Sequence, residues 1–571
     1  INKQIYLGNK KLQLGKKGVS GAFIEIEGEK YYKISHFNEM PDFFMTIVSD
    51  SDHWMYLSSN GSLTAGRKNR NNALFPYYTV DKIHDFRGKT GSKSLCLIEQ
   101  DSACYLWEPF SAEAEKLYDI SRNIYKSIYG NKVIFEEINN DLNVRFRYAW
   151  YNSEKYGWIK KSELTNEGKE TRKIDILDGL INILPYGVDY GFQSEYSNLL
   201  DAYKKNELLL ESKLGLFMLS SIPVDRAEPS EALKTTSVWS VGPDCPSKLL
   251  VSEKQIPDFI QGMPVQTEVD VRASKGAYLI QSSFLLAEKE CKHWYFVAEI
   301  NQDAKDIADL DHYIRNAKDL EKDIQTDIEL GTTELIKIVS SADGLQLGNE
   351  ELSPARHFSN TLFNVMRGGI FTNSYSIEVS DLELYLKQTN IQIAEKFAIE
   401  IKDLPAEMAY ADLTEWARMQ KDPDLERICT EYLPLTFSRR HGDPSRPWNQ
   451  FSIELKNEDG SKKLNYQGNW RDIFQNWEAL CLSYPDYVEG MISKFVNATT
   501  PDGYNPYRIT REGIDWESPH PNDPWAYIGY WGDHQIIYLQ KFLEHSEAFH
   551  PGKIDELLTK NVFVYANVPY R

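Results

Sequence analysis

The segment that decides the fold runs from Asp306 to Ile338 and reads DIADLDHYIRNAKDLEKDIQTDIELGTTELIKI. Apolar residues recur in it every three or four positions, which is the spacing of an amphipathic helix. These residues are Leu310, Ile314, Leu320, Ile324, Ile328 and Leu335. We therefore expect a long helix or a helix pair, and we assign residues 303–345 to a helical linker between two regions of different character.

The region before the linker, residues 1–302, has a β pattern. Short runs of β-prone residues are bounded by Gly, Asn, Asp, Ser or charged residues. The clearest runs are Ala22–Ile26, Phe43–Val48, Tyr105–Trp107, Val133–Glu137, Val144–Trp150, Leu216–Ser221 and Trp294–Ala298. Helical segments do not alternate with them, apart from one short helical element expected near Ser111–Lys126. This region predicts a large β-sandwich domain rather than βαβ units.

The region after the linker, residues 346–571, combines amphipathic helices with long loops rich in Asn, Gly, Pro and Trp. The predicted helices are His357–Met366, Val379–Phe397, Asp403–Lys421, Pro423–Leu433, Trp470–Ser483, Tyr484–Val496, Ala526–Glu544 and Lys553–Thr559. Helices joined by aromatic and polar loops are typical of a toroid of helix pairs in which the loops build one mouth. We expect the chemistry of the protein at that mouth.

Composition excludes some classes of partner. The formal net charge is −20, so the field of the molecule repels polyanions and we expect no nucleic-acid or anionic-membrane partner. The six cysteines show no CxxC or Cys/His metal spacing, which favours reduced thiols in a cytoplasmic protein. Aromatic residues make up 13% of the chain, which suits a protein that stacks rings on sugars, although most of these rings must pack in the core.

A basic loop is the first candidate for chemistry. Residues 438–449 read SRRHGDPSRPWN and place Arg439, Arg440, His441 and Arg446 on a stretch stiffened by two prolines. Guanidinium groups bind phosphate through paired N–H donors, so this loop is the natural anion site of an acidic protein. The alternative is a solvated loop whose arginines pair with surface carboxylates.

A helix start with charged residues is the second candidate. Residues 466–478 read YQGNWRDIFQNWE, and Arg471 and Asp472 lie in the first helical turn. On the functional interpretation, Asp472 accepts hydrogen bonds from sugar hydroxyls, with Trp470 or Arg471 beside it. On the structural one, Asp472 complements the helix dipole and Trp470 packs in the core.

A third candidate is a block of carboxylates interleaved with tryptophans. Asp515, Asp523 and Asp533 lie within residues 515–533, and Trp525 lies among them. Inverting transfer to water requires two carboxylates about 6.5–9.5 Å apart, whereas phosphorolysis requires one acid because phosphate is the nucleophile. The block is compatible with either reaction, and its spacing alone does not choose.

Several of these motifs together resemble a known family. Asn364–Gly369 (NVMRGG), Gly468–Asn476 (GNWRDIFQN) and Asn522–Trp525 (NDPW) follow one another as in the early barrel of cellobiose-phosphorylase-type enzymes, glycoside hydrolase family 94. The segment Ser58–Arg67 (SSNGSLTAGR) is similar to the N-terminal domain of that family. Large insertions such as Ser374–Ser438 make the chain similar to the longer relatives that phosphorolyse β-1,3-glucans.

The resemblance implies roles for individual residues. Asp472 matches the carboxylate that holds the glucosyl unit in the −1 subsite, and Arg471 is its neighbour; Asp523 and Trp525 match a second substrate-binding helix start. Arg440 and Arg446 fall where the family places arginines that serve phosphate and the same sugar. These positions define the expected substrate and phosphate sites.

The resemblance also implies where the general acid lies. In the family this aspartate lies in a Trp-Asn-Asp-type loop downstream of the Asp-Pro-Trp helix, and no such tripeptide lies between Trp525 and Arg571. We therefore expect the general acid downstream of Arg571, with Asp533 and Asp515 as the alternatives within this chain.

These inferences combine into one prediction. A large β-sandwich (1–302) and a helical linker (303–345) precede the N-terminal part of an (α/α)6 catalytic barrel (346–571). The predicted activity is an inverting glycoside phosphorylase that cleaves β-1,3- or β-1,4-linked gluco-oligosaccharides and produces α-glucose 1-phosphate. Inorganic phosphate is the co-substrate, no metal or organic cofactor is expected, and the family implies a homodimer. An inverting hydrolase on the same scaffold and a non-catalytic glycan-binding protein are the alternatives.

Overall fold

The computed structural model describes residues 4–13, 15, 17–223, 231–243, 247–438, 451–457, 459–506, 508–515, 530–531 and 536–566. The described chain forms two compact units, with the first extending to Ile336 and the second beginning at Lys337. Across the described ranges, every helix is too short or too polar to cross a membrane.

The first unit is built mainly of antiparallel β-strands. Its strands are β1 (Tyr6–Leu7), β2 (Lys10–Lys11), β3 (Ser20–Ile26), β4 (Glu29–Ser35), β5 (Phe44–Ile47), β6 (His53–Ser58), β7 (Leu63–Arg67), β8 (Ala73–Phe75), β9 (Gly91–Gln100), β10 (Ala103–Trp107), β11 (Ile120–Ser127), β12 (Val133–Asn139), β13 (Val144–Ser153), β14 (Gly157–Asn166), β15 (Arg172–Ile183), β16 (Lys204–Leu209), β17 (Leu214–Leu219), β18 (Thr235–Val241), β19 (Lys248–Leu250), β20 (Asp270–Arg272), β21 (Gly276–Leu286) and β22 (Cys291–Gln302). Its helices are α1 (Val80–Ile83), α2 (Ala114–Leu117), α3 (Tyr190–Ser194), α4 (Ser197–Asp201), α5 (Ile256–Ile260), α6 (Ala304–Asn316) and α7 (Leu320–Ser340, which continues into the second unit), with 3₁₀ turns at Phe37–Glu39 and His84–Phe86.

Three sheets of this unit enclose one hydrophobic core. Among the described residues, the largest sheet has the strand order β20-β16-β17-β18-β22-β14-β13-β12-β11-β4-β3, the second has the order β10-β9-β15-β21-β19, and the third has the order β5-β6-β7-β8. Phe135 and Trp150 from the first sheet, Ile176 from the second and Leu57 from the third belong to one buried cluster. The side chains alternate between this core and the outer faces, as the period of two along a strand requires. The prediction of a large β-sheet domain is confirmed.

The linker helices pack on the outer face of the largest sheet. Ile307, Ile314 and Ile324 from α6 and α7 contact a cluster that contains Trp239 and Tyr295. The apolar stripe that predicts these helices is thus buried against the sheet, and the linker belongs to the first unit as far as Ile336. Asp303 caps α6 by accepting from the backbone N–H groups of residues 305 and 306.

The second unit is mainly helical. Its helices are α8 (Leu352–Gly368), α9 (Val379–Thr389), α10 (Ile391–Lys396), α11 (Ala398–Lys402), α12 (Tyr410–Met419), α13 (Pro423–Thr430), α14 (Trp470–Leu480), α15 (Val488–Asn497), α16 (Ile536–Phe549) and α17 (Lys553–Leu558), with a 3₁₀ turn at Pro485–Tyr487. Its short strands are β23 (Ile370–Phe371), β24 (Ser376–Glu378), β25 (Glu407–Ala409), β26 (Leu435–Thr436), β27 (Gln467–Asn469), β28 (Tyr504–Asn505), β29 (Arg508–Thr510), β30 (Ile514–Asp515) and β31 (Tyr530–Trp531).

One excursion of the second unit is closed at its base. Ile370 pairs with Thr436 and Phe371 pairs with Leu435, so the chain leaves and returns on adjacent strands, β23 and β26. We call residues 371–434 the insertion module and the β23–β26 ladder its neck. Between the two ends of the neck lie α9 to α13 and the β24–β25 pair.

Four of the predicted helices need correction. The element near Ser111–Lys126 is helical only over Ala114–Leu117, because Ile120–Ser127 is a strand held between two partners. The prediction Val379–Phe397 is wrong as a single helix, because Asn390 has an extended backbone and caps α10. Asp403–Lys421 is likewise interrupted, because Pro405 cannot donate to a helical hydrogen bond and the chain is extended over Glu407–Ala409 before α12 begins.

The fourth correction concerns the predicted helix Ala526–Glu544. Tyr530–Trp531 is a strand that pairs with Tyr504–Asn505, so the predicted segment is not one continuous helix. The described helix runs over Ile536–Phe549.

Candidate functional site

The end of α8 forms the first part of the candidate site, and it carries the motif Asn364–Gly369. A Cβ atom on Gly368 would lie 3.0 Å from the Cβ of Asn476 and 3.1 Å from Cδ1 of Trp477. Trp477 Nε1 also donates a hydrogen bond to the carbonyl oxygen of Gly368 at 2.7 Å. Glycine therefore allows α8 and α14 to approach closely, which joins two of the motifs that the sequence singles out.

The next glycine turns the chain toward the basic loop. Gly369 has a φ of 88°, in the region that side chains rarely adopt, and a Cβ there would lie 2.9 Å from the carbonyl oxygen of Thr436. Ser438 Oγ donates to the carbonyl oxygen of Arg367 at 2.8 Å. The described chain thus reaches the start of the basic loop at the end of α8.

Several predicted site residues lie outside the described residues. These are Arg439, Arg440, His441, Arg446, Asp523, Trp525 and Asp533. Their roles stay predictions from the sequence.

The first turn of α14 presents Arg471 and Asp472 together. Arg471 Nε lies 3.7 Å from Asp472 Oδ1, and the two side chains are 45% and 21% exposed. The backbone N–H groups of this turn have no partner within the helix, so the carboxylate lies in an electropositive setting. The Asp472 side chain is partly exposed there, and a group that accepts hydrogen bonds from sugar hydroxyls must be accessible.

Trp470 occupies a different environment from its two neighbours. Its side chain is fully buried, and its ring centroid lies 4.7 Å from that of Phe474 and 4.9 Å from that of Phe495. This burial fits a core packing role for Trp470 and not a contact with a sugar.

A polar row crosses the small sheet next to α14. In the sheet β27-β29-β30, Asn469 pairs with Arg508, and Arg508 pairs with Asp515. Directly paired residues such as Asn469 and Arg508 share one face of a sheet, and Asn469 is the residue that precedes α14. The structure therefore brings the backbone of Asp515 to the row that adjoins Arg471 and Asp472.

Sequence reasoning missed Arg508 as a member of this site. The pairing joins strands β27 and β29, which are separated along the chain by α14 and α15. No local pattern signals this register, because each strand is only three residues long.

A buried charged cluster lies behind the row. Arg511 is in the turn between β29 and β30, and its Nη2 lies 2.5 Å from Asp381 Oδ2 in the insertion module. The hydroxyl of Tyr432 donates to the same carboxylate oxygen. Lys494 Nζ donates to the hydroxyl of Tyr385 and to the carbonyl oxygen of Arg511, both at 3.3 Å. The insertion module, α15 and the β29–β30 turn thus share one polar network.

Burial has a measurable consequence for Lys494. Desolvation is the largest influence and lowers the pKa of Lys494 to about 8; nearby Arg511 also lowers it, whereas Glu431 and Glu512 oppose the shift. Lysine in the unfolded chain has a pKa of about 10.4. Between these two values the unfolded state binds more protons than the native state, so stability rises with pH across that window.

We predict that Lys494→Met removes this pH dependence. Below about pH 8 the variant is expected to be more stable than the unmodified protein, because no charge is then buried. From pH 8 toward 10 the unmodified protein should recover up to about 1.4 kcal/mol per pH unit relative to the variant. Melting temperatures of both proteins from pH 6.5 to 9.5 check this. Parallel curves would contradict it.

The described residues contain no group of three or more His, Cys, Asp or Glu side chains arranged to hold a metal ion.

One family model matches within the second unit. Residues 371–434 match the family described as glycoside hydrolase family 149 insertion domain 1. Apart from Phe371, which belongs to β23, the matched residues lie between the two strands of the neck. All but three of them fall within the segment Ser374–Ser438 that the sequence identifies as an insertion. A comparison with curated proteins gives no match.

Solved structures give only distant likenesses. A bacterial glucoamylase complexed with acarbose is 10% identical with a TM-score of 0.38, and the match covers 90% of this chain and 66% of that one. A human-microbiome protein provisionally described as a kojibiose phosphorylase is 7% identical with a TM-score of 0.35, covering 91% and 63%. This chain thus spans less than two thirds of either structure. TM-scores below 0.5 do not establish a shared fold.

Proposed function

We propose that this chain is part of an inverting glycoside phosphorylase that acts on β-linked gluco-oligosaccharides. The observation that carries the proposal is the match of residues 371–434 to an insertion domain of glycoside hydrolase family 149. The matched residues form a module closed at its own neck, which is what an inserted domain requires. The flanking chain on both sides of the neck carries the motifs Asn364–Gly369 and Gly468–Asn476 that resemble glycoside phosphorylases.

The proposed reaction is a single displacement. A phosphate oxygen forms a bond to the anomeric carbon while the bond from that carbon to the leaving oxygen breaks, and a general acid protonates the leaving oxygen. Attack on the opposite face inverts a β-linkage to α-glucose 1-phosphate. Asp472 accepts hydrogen bonds from the hydroxyls of the −1 glucosyl unit, with Arg471 beside it. Asp515 and Asp533 are the alternatives within this chain for the general acid.

An N-terminal sandwich and a helical (α/α)6 barrel complete the proposed architecture. The large β-sheet unit and the helical second unit support it. In such a barrel the loops that connect the helices would lie at one mouth, where the substrate binds.

We expect the basic loop to determine the affinity for phosphate. In a protein of net charge −20, a phosphate site requires a local concentration of cations. Arg440→Lys or Arg446→Lys retains the charge but loses the bidentate geometry, so the KM for phosphate should rise about 10–100-fold. The KM for the oligosaccharide should change much less, and sulfate should compete with phosphate. Initial rates at varied concentrations of each substrate decide this, and a change confined to the sugar KM would assign the loop to the sugar.

A direct assay tests the proposed function. The full-length protein is incubated with β-1,2-, β-1,3- and β-1,4-linked gluco-oligosaccharides, with and without phosphate, and both glucose 1-phosphate and free glucose are measured. Phosphate-dependent release of glucose 1-phosphate is the expected result. Release of glucose that persists without phosphate would identify a hydrolase, and binding without turnover would identify a glycan-binding protein.

A further inference from the structure

The insertion module contacts the turn of the β29–β30 hairpin through an ion pair. Arg511 lies in the turn of this hairpin, and its ion pair with Asp381 joins two side chains that are only 4% and 15% exposed. Asp381 lies in the first turn of α9, near the start of the module. A charge pair in good geometry with little access to water is held firmly, because water competes only weakly for either group.

Two segments of the module, one near its start and one near its end, position the Asp381 carboxylate. Tyr432, which follows α13 near the end of the module, donates its hydroxyl to Asp381 Oδ2. The module therefore positions the Asp381 carboxylate, and this carboxylate in turn positions Arg511. The other hydrogen bonds of Arg511 are longer: its Nη1 donates to the carbonyl oxygen of Leu464 at 3.3 Å, and its own carbonyl oxygen accepts from Lys494 at the same distance. The turn itself is closed by the backbone N–H of Thr510, which donates to the carbonyl oxygen of Gly513 at 2.9 Å.

The opposite end of the hairpin carries residues of the candidate site. Arg508 and Asp515 pair across the hairpin, and Arg508 pairs with Asn469 beside Asp472. Strands of two or three residues are marginally stable by themselves, so the geometry of this row depends on what anchors the turn.

We propose that the insertion module sets the geometry of the candidate site through Asp381, a positioning residue that acts through Arg511. The module then supports the site. Removing the Asp381 carboxylate loosens the row Asn469–Arg508–Asp515 indirectly, through Arg511. The kinetic part of this inference rests on the proposed function, whereas the structural part does not.

The first test is amide hydrogen exchange measured by mass spectrometry. The variant Asp381→Asn retains the size of the side chain but loses its charge. Peptides covering residues 508–515 should exchange at least about tenfold faster, because a charge-assisted hydrogen bond no longer anchors the turn to the insertion module. The control Glu415→Gln removes an exposed ion pair with Arg418 in the same module and should leave these peptides unchanged. Unchanged exchange at 508–515 in a folded Asp381→Asn protein overturns the inference.

The second test is kinetic. Asp381→Asn should lower kcat about 10–100-fold, because a displacement of about 1 Å at a site has effects of this size. Asp381→Glu, which keeps the charge, should recover part of the loss, and Glu415→Gln should behave like the unmodified protein. A kcat that follows only the folded fraction in every variant overturns the inference. If the unmodified protein turns over none of the sugars tested, the proposed function fails, and the exchange data alone decide the positioning role.

Discussion

Replacing Asp472 by alanine is expected to lower kcat/KM about 10²–10³-fold, the effect of deleting one hydrogen-bonding group that acts in the transition state. Asp472 is partly exposed in the first turn of α14, so its carboxylate supports little of the fold. Loss of a favourable charge near a helix N-terminus costs about 0.3–1 kcal/mol, which changes the melting temperature only slightly.

Asp412 offers a matched control for this prediction. It is an exposed carboxylate in the first turn of another helix, α12, so Asp412→Ala removes the same interaction with a helix dipole. Its melting temperature should shift about as much as that of Asp472→Ala, while its activity stays normal. Equal activities in the two variants would make Asp472 a helix-terminus residue only.

The second large effect is expected on stability, at a buried ion pair in the first unit. Lys160 Nζ lies 2.7 Å from Asp178 Oδ1, and neither side chain is exposed. Asp178 also accepts hydrogen bonds from Ser94 Oγ and Trp294 Nε1. Lys160→Met leaves the carboxylate without its cation and should lower the free energy of unfolding by about 3–5 kcal/mol. Denaturant unfolding of the variant measures this loss.

A double replacement separates the lost ion pair from the change in shape. Adding Asp178→Asn to Lys160→Met removes the unpaired charge and should restore much of the stability. Lys173→Met breaks an exposed pair with Glu99 and should leave the unfolding midpoint unchanged. A single Lys160→Met variant as stable as the unmodified protein would contradict the expected cost of breaking this ion pair.

Local patterns predict much of the fold. The runs Val133–Glu137 and Val144–Trp150 lie in strands because their alternating apolar residues face one core. The repeat from Leu310 to Leu335 predicts α6 and α7 for a similar reason, since its apolar stripe lies on a sheet. In each case the signal and the burial that produces it lie within one element.

The errors occur where a distant partner decides the local structure. Ile120–Ser127 contains enough polar residues to read as part of a helix, yet it is a strand because β4 and β12 flank it. The short strands of the second unit have no pattern long enough to detect. Their existence depends on pairing with segments far along the chain.

The candidate site likewise combines features that a local sequence pattern predicts with features that depend on distant parts of the chain. The spacing within one helix start predicts that Arg471 and Asp472 adjoin each other, and the structure places them so. The alignment of Asn469, Arg508 and Asp515 requires three strands in register, and the role of Asp381 requires a contact across 130 residues of chain. Neither could be inferred from a window of sequence.

The neck of the insertion module bears on how such a protein can change in evolution. Since Ile370 and Thr436 are direct neighbours, the chain outside the neck has the same end points whether the excursion is long or short. Closing a loop twice as long costs only about 0.6 kcal/mol more, so the length between these ends is weakly constrained by entropy. The segment inside the neck can therefore change in length at little cost, whereas the Asp381–Arg511 contact restricts which changes keep the β29–β30 turn anchored.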